Sequence, residues 1–166
     1  MAISKKLLSL FAKNKLKYGL VPHRTVFTAF DKAMTLRIKP SQVAKTLVIS
    51  MDRGYAVAAI PANRNLDFQS IKKAVNAARK KKKEKLIKNI VIVKEKWIEN
   101  NMKGVKPGAV PPFGVLWGLP TFIDKRLLKE KKIIINGGNH KESIKIRSKD
   151  FLKIARYQHF LNHSSN

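Results

Sequence analysis

The sequence has no cysteine, which excludes disulfide bonds, zinc held by thiolates and a cysteine nucleophile. It also has no apolar run near the roughly 20 residues that a membrane-spanning helix needs. The first segment, residues 1–17, mixes apolar residues with lysines as an amphipathic helix does and lacks the continuous apolar stretch of a signal peptide. We therefore expect a soluble, cytoplasmic protein without a membrane association.

Acidic residues are also scarce. Asp and Glu number 10 and are scattered singly, so there is no Asp-x-Asp pair of the kind that holds magnesium. The Gly-x-Ser-x-Gly pattern of a serine hydrolase is missing as well. These absences argue against a metal-dependent nuclease and a serine hydrolase, and the sequence predicts neither a metal nor an organic cofactor.

Basic residues dominate what is present. Lys and Arg number 36, which gives a net charge of +26. Such an excess favours a polyanionic partner, since each neutralised phosphate releases counterions. Because 28 of these residues are Lys and 8 are Arg, attraction to a nucleic-acid backbone is favoured over base reading. A solvated surface produced by compositional drift towards Lys is the second interpretation, and a membrane surface is the third.

The order of predicted elements places the chain in the mixed α/β class. At 166 residues it has the size of one domain, so we assign residues 1–166 to a single domain, with residues 157–166 as a frayed tail. Two helical segments precede a hairpin formed by "VAKTLVISM" and "YAVAAI", and Asp67 is placed to cap the next helix. "NIVIV" is predicted as a second core strand, and "LPTFID", "KIIIN" and "SIKIR" as later strands before a last helix.

One stretch, "KPGAVPPFG" from Lys106 to Gly114, has three prolines and two glycines in nine residues. Proline fixes φ and removes a donor, whereas glycine permits φ values closed to other residues, so the stretch predicts a rigid loop of unusual geometry. Such a loop can present its main chain to a ligand. The alternative is a plain connection between a helix and a strand.

Read together, four stretches resemble the YbaK-type aminoacyl-tRNA editing family. They are "QVAKTLVI", "GYAVAAIPANRNLD", "GAVPPFG" and "NGGNHKESIKI", in the same order and at similar spacing as in that family. The family includes free-standing deacylases and the editing insertion domain of bacterial prolyl-tRNA synthetases. The resemblance implies an α+β fold, in which helices surround a partly open β-barrel of mixed, largely antiparallel strands.

The resemblance also implies a function. It predicts a trans-acting aminoacyl-tRNA deacylase that hydrolyses the ester of mischarged tRNA, with tRNA(Pro) carrying Ala or Cys as the first candidate, and so supports translation fidelity. The expected partner is the acceptor 3′ end of tRNA, prolyl-tRNA synthetase is a further candidate partner, and the protein is expected to be a monomer or weak dimer. The alternative is a non-catalytic tRNA-binding module with the same fold.

Site residues follow from the same resemblance. Lys45 is expected to pair with the phosphate or ribose of the terminal adenosine, and the backbone between Gly108 and Pro112 to polarise the ester carbonyl or hold the water. His140 is the candidate for positioning water, the amino group or the 2′-hydroxyl. We expect Lys45 and the loop to share a cavity. The remaining candidates are the substrate-binding residues His23, Phe27, Thr46, Ala109, Val110, Phe113, Gly137 and Gly138, and the tRNA-binding residues Lys80, Lys81, Lys82 and Lys83.

Several of these candidates keep a structural alternative. Lys45 is also explained as a surface cation, and Gly137 and Gly138, with Asn136, more safely as a tight turn between strands that shapes the pocket rim. His23 is at least as well explained as a packed histidine at the pocket edge, and Thr46 as a residue that merely continues its strand. The lysine run at 80–83 also fits a solvated helix end, where cations complement the negative end of the helix dipole.

Overall fold

The computed structural model describes residues 3–155 and 157–160, which form helices and two β-sheets. In chain order the elements are α1 (Lys5–Lys13), β1 (Gly19–Pro22), α2 (Ala29–Leu36), β2 (Ala44–Met51), β3 (Tyr55–Pro61), α3 (Phe68–Lys81), β4 (Ile90–Ile92), α4 (Glu95–Asn101), β5 (Thr121–Asp124), β6 (Lys132–Asn136), β7 (Glu142–Arg147), α5 (Ser148–Ala155) and β8 (Tyr157–Phe160). No helix within these ranges is long and apolar enough to cross a membrane.

The strands form one sheet of three and one of five. The first has the order β1-β7-β6 and is antiparallel throughout. The second has the order β4-β2-β3-β5-β8, with β2 antiparallel to both its neighbours and β5 parallel to β3 and β8. A parallel bridge between Val43 and Ile134 links the two sheets. The mixed α/β class is thus confirmed, but the predicted partly open barrel is not, because the described strands form two sheets and no closed barrel.

The larger core packs one face of the three-stranded sheet against α1, α5 and residues of the five-stranded sheet such as Ala59 and Ile123. Leu7 and Phe11 of α1 are fully buried there, as the amphipathic pattern of the first segment predicts. Their neighbours include Ile133, Ile144 and Phe151. This face of the sheet is therefore closed to ligands.

A second core lies between α3 and the five-stranded sheet. Ile71 and Val75, one helical turn apart, are buried against residues of β3 such as Ala58 and Ile60. The carboxylate of Asp67 accepts a hydrogen bond from the Gln69 amide at 3.1 Å, which satisfies one free donor at the helix start. The predicted helix cap is confirmed.

The prediction of "NIVIV" as a core strand is wrong. Its strand, β4, has three residues and lies at the edge of the five-stranded sheet. The side chains of Val91 and Ile92 are 59% and 45% exposed. Apolar composition indicates a strand, but whether neighbours cover both faces depends on the position of that strand in the sheet.

The prediction of a frayed tail from residue 157 is also wrong for residues 157–160. They form β8, which pairs in parallel with β5, and the Phe160 side chain is almost completely buried in the α3 core. Residues 161–166 lie outside the described part of the chain. A four-residue strand that joins a distant parallel partner leaves no local pattern in the sequence.

Candidate functional site

The proline and glycine loop lies against the "GGNH" turn. Gly108 has φ +80, and a Cβ built on it would lie 3.3 Å from the carbonyl oxygen of Phe27 and 3.4 Å from the His140 ring. The Lys106 amide donates to the Gly138 carbonyl at 2.9 Å. The structure therefore brings Gly108, His140 and Phe27 together, and it places Gly108 where both its backbone angle and the available space favour a residue without a side chain.

An aromatic ring borders this contact. Phe27 is 67% exposed, and its ring centroid lies 4.9 Å from that of His140 at an interplanar angle of 59°. The Val26 amide donates to the His140 carbonyl at 3.1 Å, which fixes the two segments against each other. The site thus has an imidazole next to an open aromatic face.

A buried lysine that sequence reasoning missed supports the loop from behind. Lys32 of α2 is only 4% exposed, and its Nζ donates to Asn136 Oδ1 at 2.6 Å. Asn136 Nδ2 in turn donates to the Val110 carbonyl at 3.2 Å. Burial lowers the pKa of Lys32 from its usual 10.5 to about 8. A chain of hydrogen bonds therefore runs from α2 through the end of β6 to the loop.

The sequence holds a weak signal for this lysine. Thr28 caps α2, since its hydroxyl accepts from the Asp31 amide at 3.0 Å. Lys32 lies one turn before Leu36 and beside Ala33, so it falls on the inner face of the helix. Among 28 lysines, one at an inner position does not stand out by composition.

His23 is held as a packed histidine at the edge of the same network. Its Nδ1 lies 2.8 Å from the Arg24 carbonyl, which can only accept, so Nδ1 carries the proton and Nε2 of the neutral ring accepts from Ser143 Oγ at 2.8 Å. Burial is the main cause that lowers the His23 pKa, and this favours the neutral ring. Ser143 is fully buried, so the pair joins two segments and offers no nucleophile to an incoming substrate.

The hydrogen bond of the Lys45 ammonium goes to a segment other than the loop. Lys45 is half-buried, its pKa is lowered by burial, and its Nζ donates to the Arg64 carbonyl at 3.3 Å, in the connection between β3 and α3. Side chains alternate along β2: Ala44 and Val48 pack with Phe113 and Val110 respectively. Lys45 starts on the other face, with Leu47 and Ile49. The cavity that Lys45 is expected to share with the loop stays a prediction.

Thr46, by contrast, lies on the loop side of β2. It falls between Ala44 and Val48 on the face that packs against the loop. Its hydroxyl is buried and has no hydrogen-bond partner within the described ranges, and the same holds for Asn139 Nδ2 in the "GGNH" turn. Buried polar groups are usually paired, so these two are candidates for contact with a bound molecule.

Three predicted substrate contacts are buried in the core. The Phe113 ring lies 5.9 Å from Phe11 and 5.2 Å from Phe151 and is fully buried, so it anchors the loop and does not face a ligand. Ala109 and Val110 are buried as well. The structure thus argues against direct ligand contacts from these side chains. The backbone of the loop is the part that can still contact a ligand. Pro112, Gly137 and Gly138 are also buried.

The lysine run at the end of α3 behaves as a helix end. Lys80 and Lys81 are in the last turn, and Lys82 follows as the cap. Arg79 pairs with Glu84 at 3.3 Å, which folds the segment back on itself. Cations here complement the helix dipole. The structure places Lys80 to Lys83 on an exposed helix terminus and leaves their proposed tRNA contact untested.

Comparisons with known proteins identify related sequences and folds. A family model for the aminoacyl-tRNA editing domain matches residues 23–154, which is more than half of the chain. No curated protein matches the chain.

Solved structures share the fold at low sequence identity. The hypothetical protein APE2540 aligns with a TM-score of 0.80 and 18% identity over 98% of this chain and 100% of that one. A candidate trans-editing enzyme for prolyl-tRNA synthetase aligns with a TM-score of 0.71 and 18% identity over 98% and 96%. A candidate signal transduction protein from Marinobacter aquaeolei VT8 aligns with a TM-score of 0.70 and 14% identity over 99% of this chain and 31% of that protein. At these identities the likeness shows the fold alone.

Proposed function

The chain belongs to the aminoacyl-tRNA editing domain family, and from this premise we propose that it is a trans-acting aminoacyl-tRNA deacylase. The observation that carries the proposal is the contact of Gly108 with His140 and Phe27, which joins the family's loop and turn motifs in one site. We propose tRNA(Pro) carrying Ala or Cys as the substrate. A similar fold described as a candidate trans-editing enzyme for prolyl-tRNA synthetase supports this choice.

The loop backbone is the proposed electrophilic part of the site. Pro111 and Pro112 have no N–H, and the Ala109 amide is bonded to the Lys106 carbonyl at 3.0 Å. The amides of Gly108 and Val110 are thus the donors on which the proposal depends. In the proposal they polarise the ester carbonyl and stabilise the developing oxyanion. Asn136 holds the Val110 carbonyl and so fixes the orientation of the adjoining peptide.

Phe27 and His140 are the proposed contacts for the terminal adenosine. An exposed aromatic ring can stack on an adenine whatever its neighbours in the sequence. His140, next to that ring, is then close to the ribose and can orient the attacking water or the 2′-hydroxyl. An aminoacyl ester is already activated, so the proposal needs no protein nucleophile.

Lys45 is proposed to bind a phosphate or ribose of the same nucleotide. Its hydrogen bond of 3.3 Å to Arg64 is at the long end of the usual range, so an anionic phosphate is a stronger partner. Lys32, behind the loop, is proposed to act through Asn136 and to touch no substrate. The two lysines therefore have separable roles.

Release of amino acid from mischarged tRNA tests the proposal. Wild-type protein is incubated with alanyl-, cysteinyl-, seryl- and threonyl-tRNA(Pro), beside Lys45→Ala and, as an exposed-lysine control, Lys125→Ala. We expect wild type and the control to release amino acid from the alanyl or cysteinyl ester, and Lys45→Ala to be at least about tenfold slower, as for loss of a charged phosphate contact. Release from none of the four esters would contradict the proposal.

A second function is favoured by one observation. Because the Lys45 ammonium donates its hydrogen bond to the Arg64 carbonyl, the same fold could bind tRNA without hydrolysing the ester. This non-catalytic module is distinguished by the same assay when binding is measured in parallel. Tight binding of tRNA with no release from any ester would establish it.

A further inference from the structure

The outer face of the three-stranded sheet is covered at one end and open at the other. Side chains of alternate residues share this face, so Asn136 and Ser143 lie on it at one end, where α2 and His23 cover them. Lys132 and Arg147 lie on it at the other end. Both are exposed, so this end of the sheet faces solvent.

The open end is strongly basic. Lys132 is directly opposite Arg147 across the two strands, and Lys145 is opposite Gly19 of β1. Like charges in directly opposite positions destabilise a sheet pair. Arg147 is partly neutralised by Asp150 at 2.7 Å, whereas Lys132 and Lys145 have no ion pair among the described residues. Such an arrangement is stabilised when an external anion binds.

Three neighbouring concavities extend this charge over a wider surface. One, of about 370 Å³, is lined by Lys17, Lys132 and Lys145 among others. The second, of about 440 Å³, shares Lys132 and Lys145 with the first, and the third, of about 400 Å³, shares Lys129 and Lys131 with the second. Because they share lining residues, the three concavities are neighbours, and we treat them together as one groove.

Acidic side chains are rare along this groove. Among the residues that line the three concavities Glu130 is the one acid, and its carboxylate accepts from the Ser41 hydroxyl at 2.8 Å. We name the groove the basic sheet face and define it by its cations Lys17, Lys129, Lys131, Lys132, Lys145, Arg147 and Lys149.

We propose that the basic sheet face binds the phosphate backbone of a double-helical RNA. The inference rests on the proposed function, in which this RNA is the acceptor stem of the tRNA. Lysines dominate the face, and they suit phosphates rather than base edges. Its one aromatic ring, Tyr18, packs on Phe11 at 4.8 Å and is 40% exposed. A run of unpaired bases stacks on several open rings, and the residues that line the three concavities supply one, so a duplex is the occupant that fits better.

The geometry connects this face to the candidate site. Lys132 and Asn136 are four residues apart on one strand and on one face, a separation of about 13 Å. Asn136 contacts the Gly108 to Pro112 loop through Val110. RNA whose 3′ end enters the site would therefore reach the basic sheet face by passing over α2 and His23, which cover this end of β6 and β7.

The test compares two groups of three lysines. The variant Lys17→Gln, Lys132→Gln, Lys145→Gln removes three charges from the face, and Lys80→Gln, Lys81→Gln, Lys82→Gln removes the same number from the end of α3. Binding of an uncharged tRNA(Pro) transcript is measured by fluorescence anisotropy between 50 and 200 mM salt. Thermal unfolding checks that both variants fold.

For the sheet-face variant we expect the negative slope of the logarithm of the binding constant against log salt to become less steep by about 2 to 3, as for loss of three phosphate contacts. The α3 variant should change the slope by less than half as much. Equal effects of the two variants, or no effect of the first, would overturn the proposal. The proposal would also be overturned if the sheet-face variant lost binding to a single-stranded RNA oligonucleotide, or to phosphatidylserine vesicles, but kept its binding to the tRNA.

The outcome does not depend on catalysis. Uncharged tRNA has no ester, so the slope can change as expected even when wild-type protein releases no amino acid. In that case the deacylase proposal fails and the RNA-binding face stands. Conversely, if the protein deacylates tRNA and the salt slopes of both variants are unchanged, the RNA-binding proposal fails and the deacylase proposal is supported.

Discussion

At the scale of single residues, Gly108 combines two constraints that can be separated. Its φ of +80 strains any other residue, and an added Cβ would crowd Phe27 and His140. Gly118 has a similar φ of +67 but nothing within 4 Å of an added Cβ. Each Gly→Ala change should lower the free energy of unfolding by about 1 to 2 kcal/mol.

Activity should distinguish the two glycines. We expect Gly108→Ala to slow ester hydrolysis by about 10²-fold, because small displacements in a site have effects of that size. Gly118→Ala should remain within about twofold of wild type, since an added Cβ there meets nothing within 4 Å. Measurement of kcat/KM on alanyl-tRNA(Pro) makes the comparison. Equal losses in both variants would mean that strain alone, and not contact with His140 and Phe27, is responsible.

Because Lys32 is buried, we expect the free energy of unfolding to rise with pH. Its pKa is about 8 in the folded protein and 10.5 when unperturbed, so between these values the unfolded chain binds more protons. The free energy of unfolding therefore increases with pH in this window, by about 3 kcal/mol in total, and the cost of burying the charge is complete below about pH 8.

A matched pair of variants isolates this effect. Urea unfolding of wild type and Lys32→Met is followed from pH 7.5 to 10.5, and the difference between them cancels the other titrating groups. We expect the free energy of unfolding of wild type to increase relative to that of Lys32→Met as the pH rises. Lys125→Met, at an exposed position, should show no such trend. A difference that stays constant with pH would show that Lys32 is not buried as a cation.

At the scale of elements, β8 decides how the second core is closed. Phe160 is 3% exposed and packs in the cluster that contains Ile71 and Phe122. Phe160→Ala should lower the free energy of unfolding by about 3 kcal/mol, as for other buried Phe→Ala changes. Phe30→Ala, at a position 48% exposed on α2, should cost far less. Chemical denaturation measures the free energy of unfolding of both variants. Equal and small losses would mean that residues 157–160 are frayed and that Phe160 is not part of the core.

At the scale of the whole molecule, a net charge of +26 opposes the compact state. Exposed charges repel one another over about 10 Å at 0.1 M salt and further below it. The melting temperature should therefore rise between 20 and 200 mM NaCl. The sheet-face variant, with three fewer charges, should show a smaller rise, and a flat response in wild type would mean that its cations are too dispersed to matter.

Several local features can be predicted from the sequence because neighbouring residues decide them. The amphipathic α1, the Asp67 cap and the hairpin of β2 and β3 depend on short-range patterns and are confirmed. The family is also readable from the motifs around Lys45, Gly108 and His140. That Gly108 lies against His140 is visible only in the tertiary structure.

The tertiary structure alone decides which surfaces these elements expose. Only strand order reveals that "NIVIV" lies at an edge and that residues 157–160 pair with β5. Only packing shows that Phe113 is buried, that Lys32 holds the loop through Asn136, and that the Lys45 ammonium contacts Arg64. The physical reason is that burial and hydrogen bonding at these positions depend on partners up to 104 residues away, whereas propensity and periodicity depend on neighbours within a few turns.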